Sequence, residues 1–273
     1  MLGLATSTFT GIPGLDLNLV IELLLQFFVA SLRIGSFIIA APMFGARWLP
    51  LQVRIVLVFS ITTVVAAQVP PVDVEIISSV AGVMLMMVEI AIGLSSGLVL
   101  TILFSSVMLA GEKIAASAGL GFAAQVDPQT GGQTPVVSQT LYLFLTVLFL
   151  SMDGHLVAIA TLMESYRILP IGGSLAPQVL IAAGINAAGA MFVAATIIML
   201  PIVMILLLVN VSAGVITKSA PQLNLFSFVF PITLMGVFLL LYVSTGSLAD
   251  GFGRLIDDSL ATLQTMIMEM SGG

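Results

Sequence analysis

Long apolar runs, separated by short polar or proline-containing connectors, make up most of this chain. They cover residues 17–41, 51–69, 74–111, 135–151, 155–168, 179–216 and 225–248. Several are as long as the roughly 20 apolar residues with which a helix crosses a bilayer. Proline ends or interrupts several runs, because it cannot continue a regular helix. The pattern predicts an all-α, membrane-protein-like bundle of long, bent helices and helical hairpins that are interrupted by glycine and proline.

Two of the runs, 74–111 and 179–216, are too long for one simple membrane span. As a single helix each would reach about 57 Å, whereas the hydrocarbon core is about 30 Å thick. Each run must therefore bend, double back or extend past the bilayer, and Pro201 is expected to interrupt the second.

The last part of the chain, residues 250–273, has a different pattern. Its apolar residues recur at helical spacing among polar ones, which predicts a terminal amphipathic helix lying on an assembly or at the membrane interface. These apolar positions are Leu255, Ile256, Leu260, Leu263, Ile267 and Met270.

Composition supports the membrane interpretation. The chain of 273 residues is 59% hydrophobic and only 7% charged, whereas soluble domains contain about 25% charged residues. Without cysteine, disulfides, thiolate catalysis and zinc–thiolate sites are excluded. The net charge of −6 offers no basic patch, so we expect no nucleic-acid partner. We also expect no cofactor and no nucleotide hydrolysis, because no Walker sequence is present.

Several charged residues lie inside the apolar runs, among them Arg33 and Glu89. A charge at the middle of a lipid-facing helix costs at least about 2.5 to 3.5 kcal/mol, so Arg33 and Glu89 are expected to face protein. Glu89 lies one turn before Gly93, which forms a Gly-x-x-x-Gly pair with Gly97. Such pairs let helix backbones approach closely. We therefore predict that this side of the run packs against another helix.

The sequence gives little support for a catalytic site. The string from Gly93 to Gly97 matches Gly-x-Ser-x-Gly, but a nucleophile elbow needs a strand, a sharp turn and a helix. His155, the single histidine, cannot build a zinc site without converging carboxylates. It is either a proton-responsive group or the start of a helix that Asp153 caps. We predict that the protein is not an enzyme.

The stretch 111–173 has a set of short motifs whose order and spacing are specific as a set. They are Glu112-Lys113, Gly119-Leu120-Gly121-Phe122-Ala123, Val126-Asp127-Pro128, Gly154-His155 and Leu169-Pro170-Ile171-Gly172. Further matching positions are Arg33, Ala41-Pro42-Met43-Phe44-Gly45 and Ala220-Pro221-Gln222. Together these residues resemble the FliR family of flagellar export-gate proteins.

The resemblance implies a subunit of the flagellar type III secretion export gate, in the bacterial inner membrane at the flagellar basal body. Such a subunit would help to form and close a channel for unfolded flagellar proteins, together with FliP and FliQ and with FlhB nearby. It further implies that residues 1–173 are FliP-like and include a gate loop at 111–135. Residues 174–273 would form a FliQ-like helix pair plus the terminal helix.

A gate within this loop has a physical rationale. Two glycines allow unusual backbone angles, and Phe122 supplies a bulky apolar plug between small neighbours. By the resemblance, the gate positions are Gly119, Leu120, Gly121, Phe122 and Ala123. The alternative is a loop wedged permanently between subunits. Expected helix-packing or interface positions are Arg33, Glu89, Gly93, Gly97, Glu112, Lys113, His155, Pro201 and Pro221.

Two other functions remain open at this point. An injectisome export-gate homologue would work in a different machine by the same mechanism. A small-solute secondary transporter is suggested by hydrophobic runs that proline and glycine interrupt in two halves. Intramembrane acids suited to ion coupling are sparse, however, and no inverted repeat is visible.

Overall fold

The computed structural model describes residues 17–46, 48–70, 74–77, 79–119, 136–173, 175–219 and 230–270. Within these ranges every regular element is an α-helix, which confirms the all-α prediction. The helices are α1 (Leu17–Ala40), α2 (Leu51–Ala66), α3 (Val74–Ile77), α4 (Val80–Ser117), α5 (Val136–Ser151), α6 (Gly154–Ile168), α7 (Pro177–Ser219), α8 (Phe230–Val243) and α9 (Thr245–Glu269).

Three of these helices, α1, α4 and α7, are long and apolar enough to cross a membrane. Two further pairs pass the same test together but are bent at a short break, α5 with α6 by 66° and α8 with α9 by 65°. The described part of the chain therefore offers three spans, or up to five if each bent pair is one span.

Helix α4 is the axis of the bundle, and α1, α5, α7 and α9 all pack against it. It is a continuous helix of 38 residues that starts after Ser79, whose side chain accepts a hydrogen bond from the Ala81 backbone N–H at 3.2 Å. Its buried residues include Leu100, Phe104 and Val107. The ring of Phe104 meets that of Phe149 from α5 edge-on, with centroids 5.1 Å apart.

The Gly-x-x-x-Gly side of α4 lies against α1. A Cβ atom added to Gly97 would lie 2.6 Å from the Cβ of Ala40, and one added to Gly93 would collide with the backbone oxygen of Arg33. The hydroxyl of Thr101 donates to the carbonyl oxygen of Ala40 at 2.5 Å. Since residues 93–97 lie inside α4, the Gly-x-Ser-x-Gly string here has no strand–turn–helix geometry and is not a nucleophile elbow.

The bend between α5 and α6 centres on Asp153. This residue has φ +56°, in the left-handed region that non-glycine residues rarely adopt. It precedes α6, as predicted, but its side chain makes no capping hydrogen bond to the described residues. The prediction of a side-chain cap was therefore wrong. The helix start is instead closed by backbone bonds from Leu156 and Val157 to the Asp153 carbonyl.

The predicted amphipathic helix exists as α9, and it begins at Thr245, a few residues before the predicted start. It packs on α6, α4, α7 and α5. Its apolar side is therefore covered by this chain's own core. The buried residues include every predicted apolar position: Leu255, Ile256, Leu260, Leu263, Ile267 and Met270.

Helix α7 is the longest element in the described ranges, with 43 residues. It continues through Pro201, so the predicted interruption there is not a break. In the most apolar 18-residue window of this helix, which has a mean hydropathy of 3.0, only 22% of the residues are buried. The exposed apolar side includes Ile185, Phe192, Ile197 and Leu208. Most of the surface of this helix is therefore uncovered in the single chain.

Residues before and after 173 share one continuous hydrophobic core, which extends from Ala30 in α1 to Met270 after α9. The predicted boundary near 173 falls between α6 and α7. The division into a FliP-like and a FliQ-like part stays a prediction.

Candidate functional site

A buried ion pair joins α1 to α4 at the centre of the bundle. Arg33 is fully buried and Glu89 is 1% exposed. The guanidinium Nε donates to Glu89 Oε2 at 2.7 Å, and Nη2 donates to Oε1 at 3.0 Å. This two-point geometry matches the planar fork of arginine to the two oxygens of a carboxylate. The sequence predicts that both residues face protein, but it does not show that they pair with each other.

The remaining donors of Arg33 reach α6. Its Nη1 donates to Ser165 Oγ at 3.0 Å, and Nη2 also donates to the Leu169 carbonyl oxygen at 3.0 Å. The guanidinium carbon lies 4.1 Å from the centre of the Tyr166 ring. The Tyr166 hydroxyl in turn donates to the Ala30 carbonyl at 2.6 Å. One side chain therefore ties three helices together.

This network sits where the chain leaves α6. Leu169 is the residue that follows α6, and carbonyls at a helix C-terminus have no partner inside their own helix. A cation is favourable there because it opposes the helix dipole. Three residues later Gly172 has φ +85°, a conformation that glycine adopts without steric cost. Arg33 thus helps to fix the turn from α6 toward α7.

Of the predicted gate positions, the structure describes Gly119, which lies just after the C-terminus of α4. Gly119 has φ +82°, as expected of a glycine that ends a helix. The Asn210 amide of α7 donates to the Ser117 carbonyl at 2.9 Å, and the Thr233 hydroxyl of α8 donates to the Ala118 carbonyl at 3.1 Å. Two helices from the C-terminal part thereby anchor the point where the chain leaves α4.

The chain comes back to α4 at the start of α5. A Cβ atom on Gly111 would lie 2.8 Å from the backbone nitrogen of Ser138, so the two backbones are in close contact. This contact lies about 12 Å, by helical rise, before Gly119. The predicted loop at 111–135 starts later than expected, because residues 111–117 belong to α4. Both ends of the segment are held by packing.

Comparison with known proteins decides the family. The sequence profile of bacterial export proteins, family 1, matches residues 24–259. This chain belongs to that export family. The match confirms the resemblance drawn from the motifs, and it includes the ion pair, the end of α4 and all of residues 119–135.

Curated relatives of this export protein have the name flagellar biosynthetic protein FliR. The protein of Pectobacterium carotovorum subsp. carotovorum is 38% identical over 209 residues, which are 77% of this chain and 80% of the relative. The protein of Escherichia coli (strain K12) is 33% identical over 208 residues, 76% of this chain and 79% of the relative. That of Bacillus subtilis (strain 168) is 28% identical over 234 residues, 83% and 88% respectively.

The other predicted positions of this export protein occupy varied places. Glu112 and Lys113 are exposed near the end of α4, and Pro201 is exposed on α7. His155 is half-buried, and its Nδ1 is buried without a hydrogen-bond partner among the described residues. The remaining predicted positions lie outside the described residues: Leu120, Gly121, Phe122, Ala123 and Pro221.

Metal chemistry finds no support in the described ranges. They contain no group of three or more His, Cys, Asp or Glu side chains that could hold a metal ion. Glu164 and Arg167 form an ion pair on α6, with 3.5 Å between Nη1 and Oε2, but both side chains are more than half exposed. Such exposed pairs contribute little stability.

Proposed function

We propose that this export protein forms part of the wall of the flagellar type III export gate and helps to open and close its channel for unfolded flagellar proteins. The carrying observation is that FliR proteins match more than three quarters of the chain. The chain is a subunit of the flagellar export apparatus and is embedded in a membrane through its apolar helices. We propose that this membrane is the bacterial inner membrane and that the subunit lies at the flagellar basal body.

The two alternative functions are less well supported. The FliR relatives described above are flagellar, which favours the flagellar machine over an injectisome. In transporters, ionisable residues inside the membrane mark substrate and ion pathways and proton relays. Among the described residues the buried charges are Arg33 and Glu89, and they instead bond to each other and to the end of α6.

The partners in this proposal are FliP and FliQ, with FlhB nearby. Its physical support is the uncovered apolar surface of α7, whose exposed residues include Ile185, Phe192 and Leu208. Lipid tails can cover only part of this surface, because the 43 residues of α7 extend about 65 Å and the hydrocarbon core is about 30 Å thick. Residues 1–173 would then contact neighbouring subunits as a FliP-like part, and 174–273 as a FliQ-like part.

Copurification tests the assembly. When the tagged full-length chain is coexpressed with FliP and FliQ and extracted in mild detergent, we expect all three proteins in one peak on size exclusion. Expressed alone, the chain should aggregate or be degraded, because the exposed side of α7 lacks its cover. A stable, monodisperse monomer that transports a small solute would contradict the proposal.

The gating role predicts a measurable leak. Removing residues 119–124 from the assembled gate should raise the ion conductance of the membrane, while assembly stays intact because α4 and α5 keep their own contacts. The measurement is single-channel or vesicle-flux conductance of the complex purified in equal amounts. The matched control removes six residues at 5–10, which lie outside the family match. Equal conductance of both deletion variants would exclude the gate.

A further inference from the structure

A groove runs between α1 and α2 on the outside of the bundle, with a volume of about 260 Å³. It is lined mainly by apolar side chains, among them Ile39, Ile55 and Val58. At one end the rings of Phe27 and Phe59 close it, with centroids 5.0 Å apart. At the other end, next to the connector between the helices, lies Arg54. The groove is therefore apolar along its length and cationic at one end.

Arg54 is a cation that the fold leaves incompletely satisfied. Its Nη2 donates to the carbonyl oxygens of Gly45 and Ala46 at 3.3 and 2.5 Å. Its Nε is buried, and no described residue accepts a hydrogen bond from it. Within the described ranges the ion pairs are those of Arg33 and Arg167, so no described carboxylate balances this charge. An anionic oxygen at this end of the groove would compensate it.

The dimensions of the groove suit a lipid chain. From Ile39 to Phe27, α1 rises about 18 Å, which is more than half of the roughly 30 Å hydrocarbon core. The groove lies along α1, one of the candidate membrane spans. Trp48 in the adjoining connector is 63% exposed, and tryptophan is enriched at the level of the lipid head groups.

We propose that this groove binds one anionic phospholipid, whose acyl chain lies between α1 and α2 and whose phosphate meets Arg54. A protein helix would cover the apolar walls equally well, but it would have to bring its own anion to the Arg54 end. A phospholipid supplies both parts in the right order, because its charge and its chain are joined at the membrane surface. The site requires only membrane embedding and is independent of the gating proposal.

Gly35 gives a way to fill the groove without touching the charge. It lines the groove, and a Cβ atom added there would meet nothing closer than the Cγ1 of Val58 at 3.9 Å. Gly35→Ala should therefore leave the groove open, whereas Gly35→Leu should occupy it. A leucine at Gly184 of α7, where a Cβ would meet nothing within 4 Å, controls for the loss of a helical glycine.

The experiment measures lipid retention by native mass spectrometry. The sample is the full-length protein together with any subunits that are extracted with it from the membrane. The probes are phosphatidylglycerol and phosphatidylcholine with identical acyl chains, added after delipidation. We expect the native protein to retain phosphatidylglycerol about fivefold better, the contribution of one cation near a lipid surface. Arg54→Gln should remove this preference, and Arg54→Lys should keep it.

The groove variants test the acyl chain separately. Gly35→Leu should reduce retention of both lipids, while Gly35→Ala and Gly184→Leu should behave like the native protein. A photoreactive residue at Ile55 should crosslink to lipid in native membranes. The proposal is overturned if Arg54→Gln keeps the preference, if Gly35→Leu retains lipid normally, or if the crosslink goes to a neighbouring protein instead. Gly35→Leu leaves the Arg54 contacts intact. If Arg54→Gln fails to fold, the Gly35→Leu variant therefore still tests the site.

Discussion

Replacing Arg33 by alanine is expected to destabilise the subunit by about 3 to 5 kcal/mol, the usual cost of breaking a buried ion pair. The loss is large because Glu89 would remain buried without its two charge-assisted hydrogen bonds. Ser165 and the Leu169 carbonyl would lose their partner as well. Glu89→Ala should be as harmful, because it leaves the arginine unpaired. The measurement is thermal unfolding, in detergent, of the subunit copurified with FliP and FliQ, with the amount of the subunit in the membrane as a second readout.

Two further variants separate this effect from a general sensitivity to mutation. Arg167→Ala removes the same side chain from an exposed pair, so we expect little change in stability. The double replacement Arg33→Met with Glu89→Leu removes both charges together and should recover much of the stability, since buried pairs are often exchanged for apolar residues without loss. If Arg33→Ala and Arg167→Ala unfold at the same temperature, the pair does not hold the bundle together.

Alanine at Gly93 or Gly97 is expected to cost about 1 to 3 kcal/mol in each case, the typical effect of overpacking a close contact. At Gly93 the added methyl group would collide with the backbone of α1 at Arg33, and at Gly97 it would lie 2.6 Å from the Ala40 Cβ. Backbone atoms cannot rotate away as a flexible side chain can. The two helices must therefore separate, which would also strain the Arg33–Glu89 pair.

The matched controls are glycines of α7. At Gly184 and Gly189 a Cβ atom would meet nothing within 4 Å. Alanine there should be neutral or stabilising by up to about 1 kcal/mol, because alanine has the higher helix propensity. Melting temperatures of the four single variants provide the comparison. Equal melting temperatures for Gly97→Ala and Gly184→Ala would show that the contact between α1 and α4 tolerates a larger separation.

Much of the fold could be predicted from the sequence because its signals are periodic and long. The apolar runs give the helices, and the apolar spacing from Leu255 to Met270 gives the buried side of α9. The pair of Gly93 and Gly97 identifies the side of α4 that meets another helix. Each of these signals is local, since it depends only on residues within a few helical turns.

The sequence could not give contacts between distant residues. Arg33 and Glu89 are 56 positions apart, and any of the other carboxylates could have been the partner. The family resemblance predicts a gate loop that starts at residue 111. The helix nevertheless continues to Ser117, because glutamate, lysine and alanine all have high helix propensity. Pro201 was predicted to interrupt α7, yet losing one backbone hydrogen bond does not end a helix of this length.

The length of α7 has a consequence for how the subunit sits in the bilayer. Its 43 residues extend about 65 Å at the helical rise. Tilted by about 40°, the upper end of the usual range, it would still span about 50 Å along the membrane normal, against a hydrocarbon thickness of about 30 Å. Hydrophobic mismatch of this size cannot be relieved by tilting. About 20 Å of the helix must therefore lie beyond the lipid tails, partly in the head-group regions and partly against other proteins.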